Sequence, residues 1–586
     1  MSVDLKARPF YLSDREVEWV EKTYATMSLE EKIGQLLCPI MPGTDEESVK
    51  HSVEELHIGG MMTRALPAGQ IQNIYRMYQK SSKIPMLISA NLESGGNGVL
   101  AEGTLFAMPE GCSATMDITN GYRLGKIACR EAAAAGVTWG YAPIVDIDMN
   151  YRNPITNVRS FGSDKETVLQ MARGYLVAAK EEGIAATIKH FPGDGVDERD
   201  QHLLVSVNTL SYEEWIESYG YIYQTLIEEG VSCIMAGHIA QPAVSRHMEP
   251  SISDRDAMLP GSLSRVLLTG VLRDEFEFNG LIVTDSSLMV GFMQCMPRSQ
   301  AVPFCIECGC DSLLFNRSLD EDFTYMLQGY RNGILSETRL RDAVLRNLAL
   351  KASLHLPERK EQNTLVPNMD LMKVIRQEET GLWVRECADK AVTLVKDNRY
   401  MLPLCPEKTR RVYLNVIENT VKNNTPFALD IKERLEKEGF VVTLRQRAFD
   451  FDPDAMLHGE MTQDMARIME EISADTEDFV SQFDLCVMVL NMETVSNATV
   501  VRVAWKVIFG MGNDIPWYCG EMPLVVVSTA NPYHLLDIPM ADVYVNAYTG
   551  NQATLDAVFD KLMGRSEFKG VSPVDAFCGH EDCRVW

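Results

Sequence analysis

Nowhere in the chain do apolar residues run uninterrupted for the about 18 positions that a membrane-spanning helix requires, so none is expected. Basic residues are scarce: Lys and Arg number 55 against 82 Asp and Glu, a formal charge of −27. That field repels phosphate backbones and anionic lipid, which excludes nucleic acid and membrane surfaces as partners. The opening MSVDLKARPFYLSDREVEWVEK lacks the apolar core of a secretory leader. Fourteen cysteines in 586 residues are too few for a disulfide framework. With the missing leader they imply a reducing, cytoplasmic setting. Short repeats and low-complexity tracts are also missing. What is present is ordinary globular composition, 46% hydrophobic and 23% charged, with material for more than one core.

One pattern recurs through residues 1–355: a short apolar or β-branched run ends in polar residues, and an amphipathic stretch follows. The runs are Met86 to Ala90 before Asn91 and Glu93, Tyr141 to Val145 before Asp146, and Ile184 to Ile188 before Lys189 and His190. Three more are Val231 to Ala236 before His238, Leu281 to Thr284 before Asp285, and Ser312 to Phe315 before Asn316. Alternation of this kind predicts right-handed βαβ units on a parallel sheet. Polar residues gathered at the strands' C-terminal ends favour a (β/α)8 TIM-type barrel, with a doubly wound sheet as the alternative. The polar stretch His355 to Pro367 reads as a linker within a connecting segment, 356–384. A second α/β region over 385–586 has strands at Val412 to Val416, Leu485 to Leu490 and Leu524 to Ser528.

The stretch from Ile188 to Asn208 holds most of the chemistry-bearing residues. Pro192, Gly193 and Gly195 end regular structure and open a loop carrying Asp194, Asp200 and His202. Asp200 and His202 stand two apart, so in an extended loop they share a face, and the Asp can orient the His as a proton shuttle. A solvated charged loop is the plain alternative. Asp285, at a strand's mouth, reads as nucleophile or base, or as the N-cap of the next helix. Arg159 could grip substrate hydroxyls or a carboxylate.

These motifs resemble glycoside hydrolase family 3, in its β-N-acetylhexosaminidase branch. Lys-His-Phe-Pro-Gly-x-Gly is present as Lys189 to Gly195, Asp-x-His as Asp200 to His202, and Val-Thr-Asp as Val283 to Asp285. The resemblance covers about residues 15–355. Residues 385–586 are similar to the family's α/β sandwich domain, on the stretches at 391–404 and Gly570 to Pro573. It implies an exo-acting, retaining β-N-acetylhexosaminidase on a carbohydrate substrate, with Asp285 as nucleophile and His202 as acid/base oriented by Asp200. It also implies that Asn91, Glu93, Asp146, Arg159, Lys189, His190 and His238 serve the sugar. A His acid/base leaves the acceptor side less negative than a carboxylate, which admits phosphate as an alternative acceptor to water.

Two departures bear on the sugar. Asn91 stands where the family has Asp, exchanging charge-assisted bonds for an amide's. Asp194 stands where His is more usual. A β-glucosidase is therefore a second enzymatic reading, and a sugar-binding protein on the same scaffold a non-enzymatic one. No cofactor is expected: Gly95 to Gly98 lacks the dinucleotide spacing. No metal is expected either. Cys305, Cys308 and Cys310 read as buried small hydrophobes on a barrel helix, and Cys578, His580 and Cys583 lack a complete ligand set. Glu493 is a reserve acid/base candidate from the second domain, and a homodimer is compatible with this organisation.

Overall fold

The computed structural model describes residues 3–586 apart from 421, 447–457, 459–472, 493–495, 497–501, 504, 506, 509–510 and 513. Glu493 lies outside these described residues. The chain forms two compact units, the first built from Met1–Ser113 and Asp117–Trp383, the second from Val384–Val495 and Val500–Trp586.

In the first unit, the barrel strands are β1 (Leu37–Cys38), β2 (Gly60–Met62), β3 (Leu87–Ala90), β4 (Trp139–Gly140), β5 (Ala185–Phe191), β6 (Cys233–Ala236), β7 (Leu281–Thr284) and β8 (Leu313–Leu314). Strands β2 to β7 form one sheet in chain order, and β8 pairs with β1. Single bridges, Ile40–Met62 and Val283–Ser312, join that pair to both edges of the sheet. The ring is therefore closed, a (β/α)8 barrel without free edges rather than a doubly wound sheet. Every residue of β3, β6 and β7 is buried, as expected of parallel strands covered on both faces.

Two local expectations are corrected. The strand expected at Tyr141 to Val145 is instead Trp139–Gly140, because Pro143 brings no N–H to a ladder. The chain stays extended past it, and Val145 N donates to Lys189 O at 2.8 Å. The segment from His355 to Pro367 was expected to be a linker, yet Leu356–Glu361 is helical, with Pro357 in the first turn, where the missing donor costs nothing.

The helix Glu337–Ser353 closes the end of the barrel where the strands begin. Arg346 Nε donates to Asn279 O, Asn347 Nδ2 to Asp311 O, and Lys351 Nζ to Gln35 Oε1, each acceptor lying just ahead of a strand. Lys351 is buried, its amine meets an amide oxygen rather than a carboxylate, and burial pushes it down to about 7. Between that value and the ordinary lysine range the unfolded chain holds a proton the folded chain lacks, so this group makes stability rise with pH across that window. Lys351→Met should flatten the rise in a urea-denaturation series from pH 7 to 10. It should also raise stability at pH 7 by about 2 kcal/mol, the gain being reduced by the unpaired Gln35 oxygen.

The second unit has a mixed sheet of β9 (Thr393–Asp397), β10 (Arg411–Glu418), β11 (Val441–Leu444), β12 (Leu485–Asn491), β13 (Leu524–Ser528) and β14 (Val543–Asn546). Its order is β9-β14-β13-β12-β10-β11, with only β9 antiparallel to its neighbour. Alternate residues feed separate cores. Val412, Leu414, Val487 and Val525 meet the helices Pro426–Lys437 and Gln552–Leu562, whereas Tyr413, Met488 and Val526 pack with Phe479 and Tyr518 on the other face. This is an α/β sandwich.

Candidate active site

The C-terminal mouth of the barrel collects the polar ends of its strands. Asp285 follows β7, its amide tied to Ala236 O at 2.8 Å and its Oδ1 accepting from Ser286 N at 2.7 Å. His190 Nε2 lies 3.8 Å from Asp285 Oδ2. Burial alone would raise the Asp285 carboxyl, but the fields of His190, His238 and His202 and the Ser286 amide outweigh it and hold it below the ordinary range. Asp285 is therefore ionised at neutral pH, as a nucleophile must be.

His202 and Asp200 form the expected pair. His202 Nδ1 is 2.7 Å from Asp200 Oδ1, and the same oxygen accepts from His202 N at 2.8 Å. The carboxylate is sealed while the His202 side chain is 22% exposed, so only the imidazole can meet a ligand. Val290 N, beyond β7, donates to His202 O at 2.9 Å and ties the two loops together.

Arg159 and Lys189 converge on Glu93. Arg159 grips it with Nε to Oε2 at 2.9 Å and a second nitrogen to Oε1 at 3.0 Å, and Lys189 Nζ reaches Oε1 at 2.7 Å. Burial works against the Glu93 charge, but the two cations hold its carboxyl well below the usual range. The trio leaves one net positive charge at the mouth, with unused guanidinium and ammonium donors available to hydroxyls. Asn91, directly after β3, is exposed.

Two of the residues expected to serve the sugar have their polar atoms engaged by the protein itself. Asp146 is buried and its oxygens are occupied: Oδ1 accepts from His190 N at 3.0 Å and Asp194 N at 2.8 Å, and Oδ2 lies 2.7 Å from His190 Nδ1. It orients His190. His238 is fully buried, with Nδ1 2.8 Å from Ser262 Oγ and Nε2 2.9 Å from Ser286 O. It braces the backbone next to Asp285, and burial lowers its basicity. Sequence reasoning missed Gln201, buried between the dyad residues, whose Oε1 accepts from His238 N at 2.8 Å. Its position inside Asp-x-His was the only available signal.

Cys305 and Cys308 lie buried on the helix Arg298–Cys308 and Cys310 just beyond it, their thiols pushed up by burial. Among the described residues no group of three or more His, Cys, Asp and Glu is placed to hold a metal ion. No helix of the described residues is long and apolar enough to cross a membrane.

A closed parallel barrel with an ionised carboxylate and an Asp–His pair at its mouth suits a barrel glycosidase. The family model described as glycosyl hydrolase family 3 N terminal domain matches residues 28–350. A Cellulomonas fimi protein named beta-N-acetylglucosaminidase/beta-glucosidase is 41% identical over 586 residues, covering 100% of each chain. The chain belongs to glycosyl hydrolase family 3 and is an enzyme of that family. A solved structure titled beta-glucoside phosphorylase BglX is 42% identical, covers 99% of both chains and superposes with a TM-score of 0.89. A family 3 beta-N-acetylglucosaminidase from Paenibacillus sp. str. FPU-7 shares the fold at 22% identity and a TM-score of 0.74, covering 94% of this chain and 99% of that one.

Proposed function

We propose that the enzyme is a retaining exo-β-N-acetylglucosaminidase. The observation that carries this reading is Asp285 at the barrel mouth, 3.8 Å from His190 Nε2, with His202, partly exposed and braced by Asp200, among the imidazoles that act on it. In the first step an Asp285 oxygen bonds to the anomeric carbon, the glycosidic C–O bond breaks, and the leaving oxygen takes the proton of His202. In the second, an acceptor oxygen bonds to the anomeric carbon, its proton passes to His202, and the ester to Asp285 breaks. Arg159 and Lys189, pre-set by Glu93, hold the nonreducing-end hydroxyls, and Asn91 offers an amide beside them. The Cellulomonas fimi relative's name supports both N-acetylglucosaminide and glucoside as donors.

Phosphorolysis is the second reading, and two observations favour it. The groups acting on Asp285 are imidazoles rather than further carboxylates, which tolerates an anionic acceptor, and the 42%-identical solved structure is titled a phosphorylase. Phosphate brings an anionic oxygen and needs no base.

The test is release of 4-nitrophenol from its β-N-acetylglucosaminide and β-glucoside, with and without phosphate. Turnover of the acetamido substrate is expected, with His202→Ala about 10²-fold slower in kcat when water is the acceptor. Acceleration by phosphate with a sugar 1-phosphate product would make the enzyme a phosphorylase. Turnover of the glucoside alone would overturn the acetamido assignment.

A further inference from the structure

Asp194 takes no part in the two steps above, yet it is buried where the loops after β4 and β5 meet. It is flanked by Gly193 and Gly195, whose φ values of +121° and +105° L side chains rarely adopt. A Cβ on Gly195 would also lie 1.9 Å from Ile147 O. The main chain is thus pinned on both sides. Asp194 N donates to Asp146 Oδ1 at 2.8 Å, and the Tyr219 hydroxyl donates to Asp194 O at 2.5 Å.

The side chain reaches the other loops. Oδ1 accepts from Asn153 Nδ2 and from Gly195 N, both at 2.8 Å, and Oδ2 accepts from Gln201 Nε2 at 3.1 Å. Asn153 in turn accepts from Ile155 N at 2.7 Å and Thr156 N at 2.9 Å, fixing the turn that leads to Arg159. Each of these three partners of the carboxylate is a donor. The Gln201 amide cannot turn over to relieve a change, because its oxygen already accepts the backbone N–H of His238, which has no other orientation to offer. The polarity therefore runs one way, from His238 N–H to Gln201 and from Gln201 to Asp194. Only an acceptor-only group completes it. Burial and the adjacent Asp146 push the Asp194 carboxyl up to about 6, while the His190 field and the Gly195 and Asn153 bonds pull the other way, so it is ionised above that pH.

We propose that Asp194 is a positioning residue for general acid/base catalysis: by fixing the polarity of Gln201 it holds Asp200 and His202, on either side, in the geometry that serves the leaving group. The proposal rests on the acid/base reading of His202. Protonation of a leaving group matters most when that group is a poor one, so loss of position appears as a leaving-group-dependent loss. A general weakening of the fold would lower all substrates alike.

The experiment compares kcat/KM at pH 7.5 for a 2,4-dinitrophenyl and a phenyl β-glycoside of the sugar the wild type turns over. The variants are Asp194→Asn, Gln201→Glu, the double variant and His202→Ala. Asp194→Asn sets an amide N–H against that of Gln201 and should lose about 10-fold or more on the phenyl substrate and about 2-fold or less on the dinitrophenyl one. Gln201→Glu faces one carboxylate with another and should show the same split. The double variant reverses the polarity completely: the amide introduced at position 194 donates to the carboxylate introduced at position 201, which still accepts from His238 N, and the phenyl rate should recover. Equal losses on both substrates, no loss in Asp194→Asn, or no recovery in the double variant would each overturn the proposal. His202→Ala separates it from its premise. No split there overturns the acid/base reading and the proposal with it, whereas a split there but not in Asp194→Asn overturns the proposal alone.

Discussion

Asp285→Asn should reduce kcat by about 10⁴-fold or more with KM little changed, since an amide cannot open the covalent path. The side chain keeps its size, so the Ser286 amide retains an acceptor. What disappears is the charge 3.8 Å from His190, which also helps His190, His202 and His238 to share one small space. A 5-fluoro analogue of the preferred sugar with a good leaving group, which keeps the substituent at C2, slows the second step more than the first and should trap the wild type as an ester. Peptide mass mapping should place that mass on Asp285, within Gly280 to Met289, and nothing should accumulate on the variant. A loss of less than about 10-fold, or label on another side chain, would remove Asp285 from the nucleophile's role.

Such a test could be written from sequence because the features it uses are local. Leu281 to Thr284 is an unbroken run of apolar or β-branched residues, and the structure places β7 on those same residues. The residue after such a run must emerge at the strand's C-terminal end, so Asp285 was legible as a mouth residue. Asp200 and His202 were legible by spacing alone. Less local features were not. Strands β1 and β2 have two and three residues, too few for any periodicity, and closure of the ring depends on their distant partners. Pro143 displaced β4 by removing a donor. Asp146 and His238 emerge where a ligand contact would, but each turns its polar atoms back onto neighbours that only the folded chain brings near. The direction of the hydrogen bonds through Gln201 has no trace in composition or spacing, although it decides whether Asp194 can be an amide.

At the opposite end of the barrel, Asp311→Asn should destabilise the first unit by about 3–5 kcal/mol. Asp311 is fully buried ahead of β8 and faces three arginines. Its Oδ2 accepts from Arg273 at 2.6 Å and from Ile282 N at 2.8 Å, and its Oδ1 pairs with Arg339 and stands 3.6 Å from Arg346. Burial would raise this carboxyl, but the three cations and the Ile282 amide hold it below the ordinary range. A depressed carboxyl contributes stability above its unfolded value and loses it as pH falls through the folded one. Asp311 should therefore contribute to the weakening of the wild type towards acid below about pH 4, and the Asn variant should show a shallower dependence there. Neutralising the carboxylate leaves Arg273 and Arg346 as buried like charges whose remaining bonds go to main-chain oxygens of Phe278, Gly280, Gly309 and Asn279. Arg346→Met is the contrasting change: it removes the most distant cation and a source of repulsion on Arg273, and it should alter stability by less than about 1 kcal/mol. Urea denaturation followed by fluorescence at pH 7 would compare the variants. A small loss in Asp311→Asn, or a large one in Arg346→Met, would mean that the main-chain bonds of the arginines, and not their shared carboxylate, hold the base of the barrel.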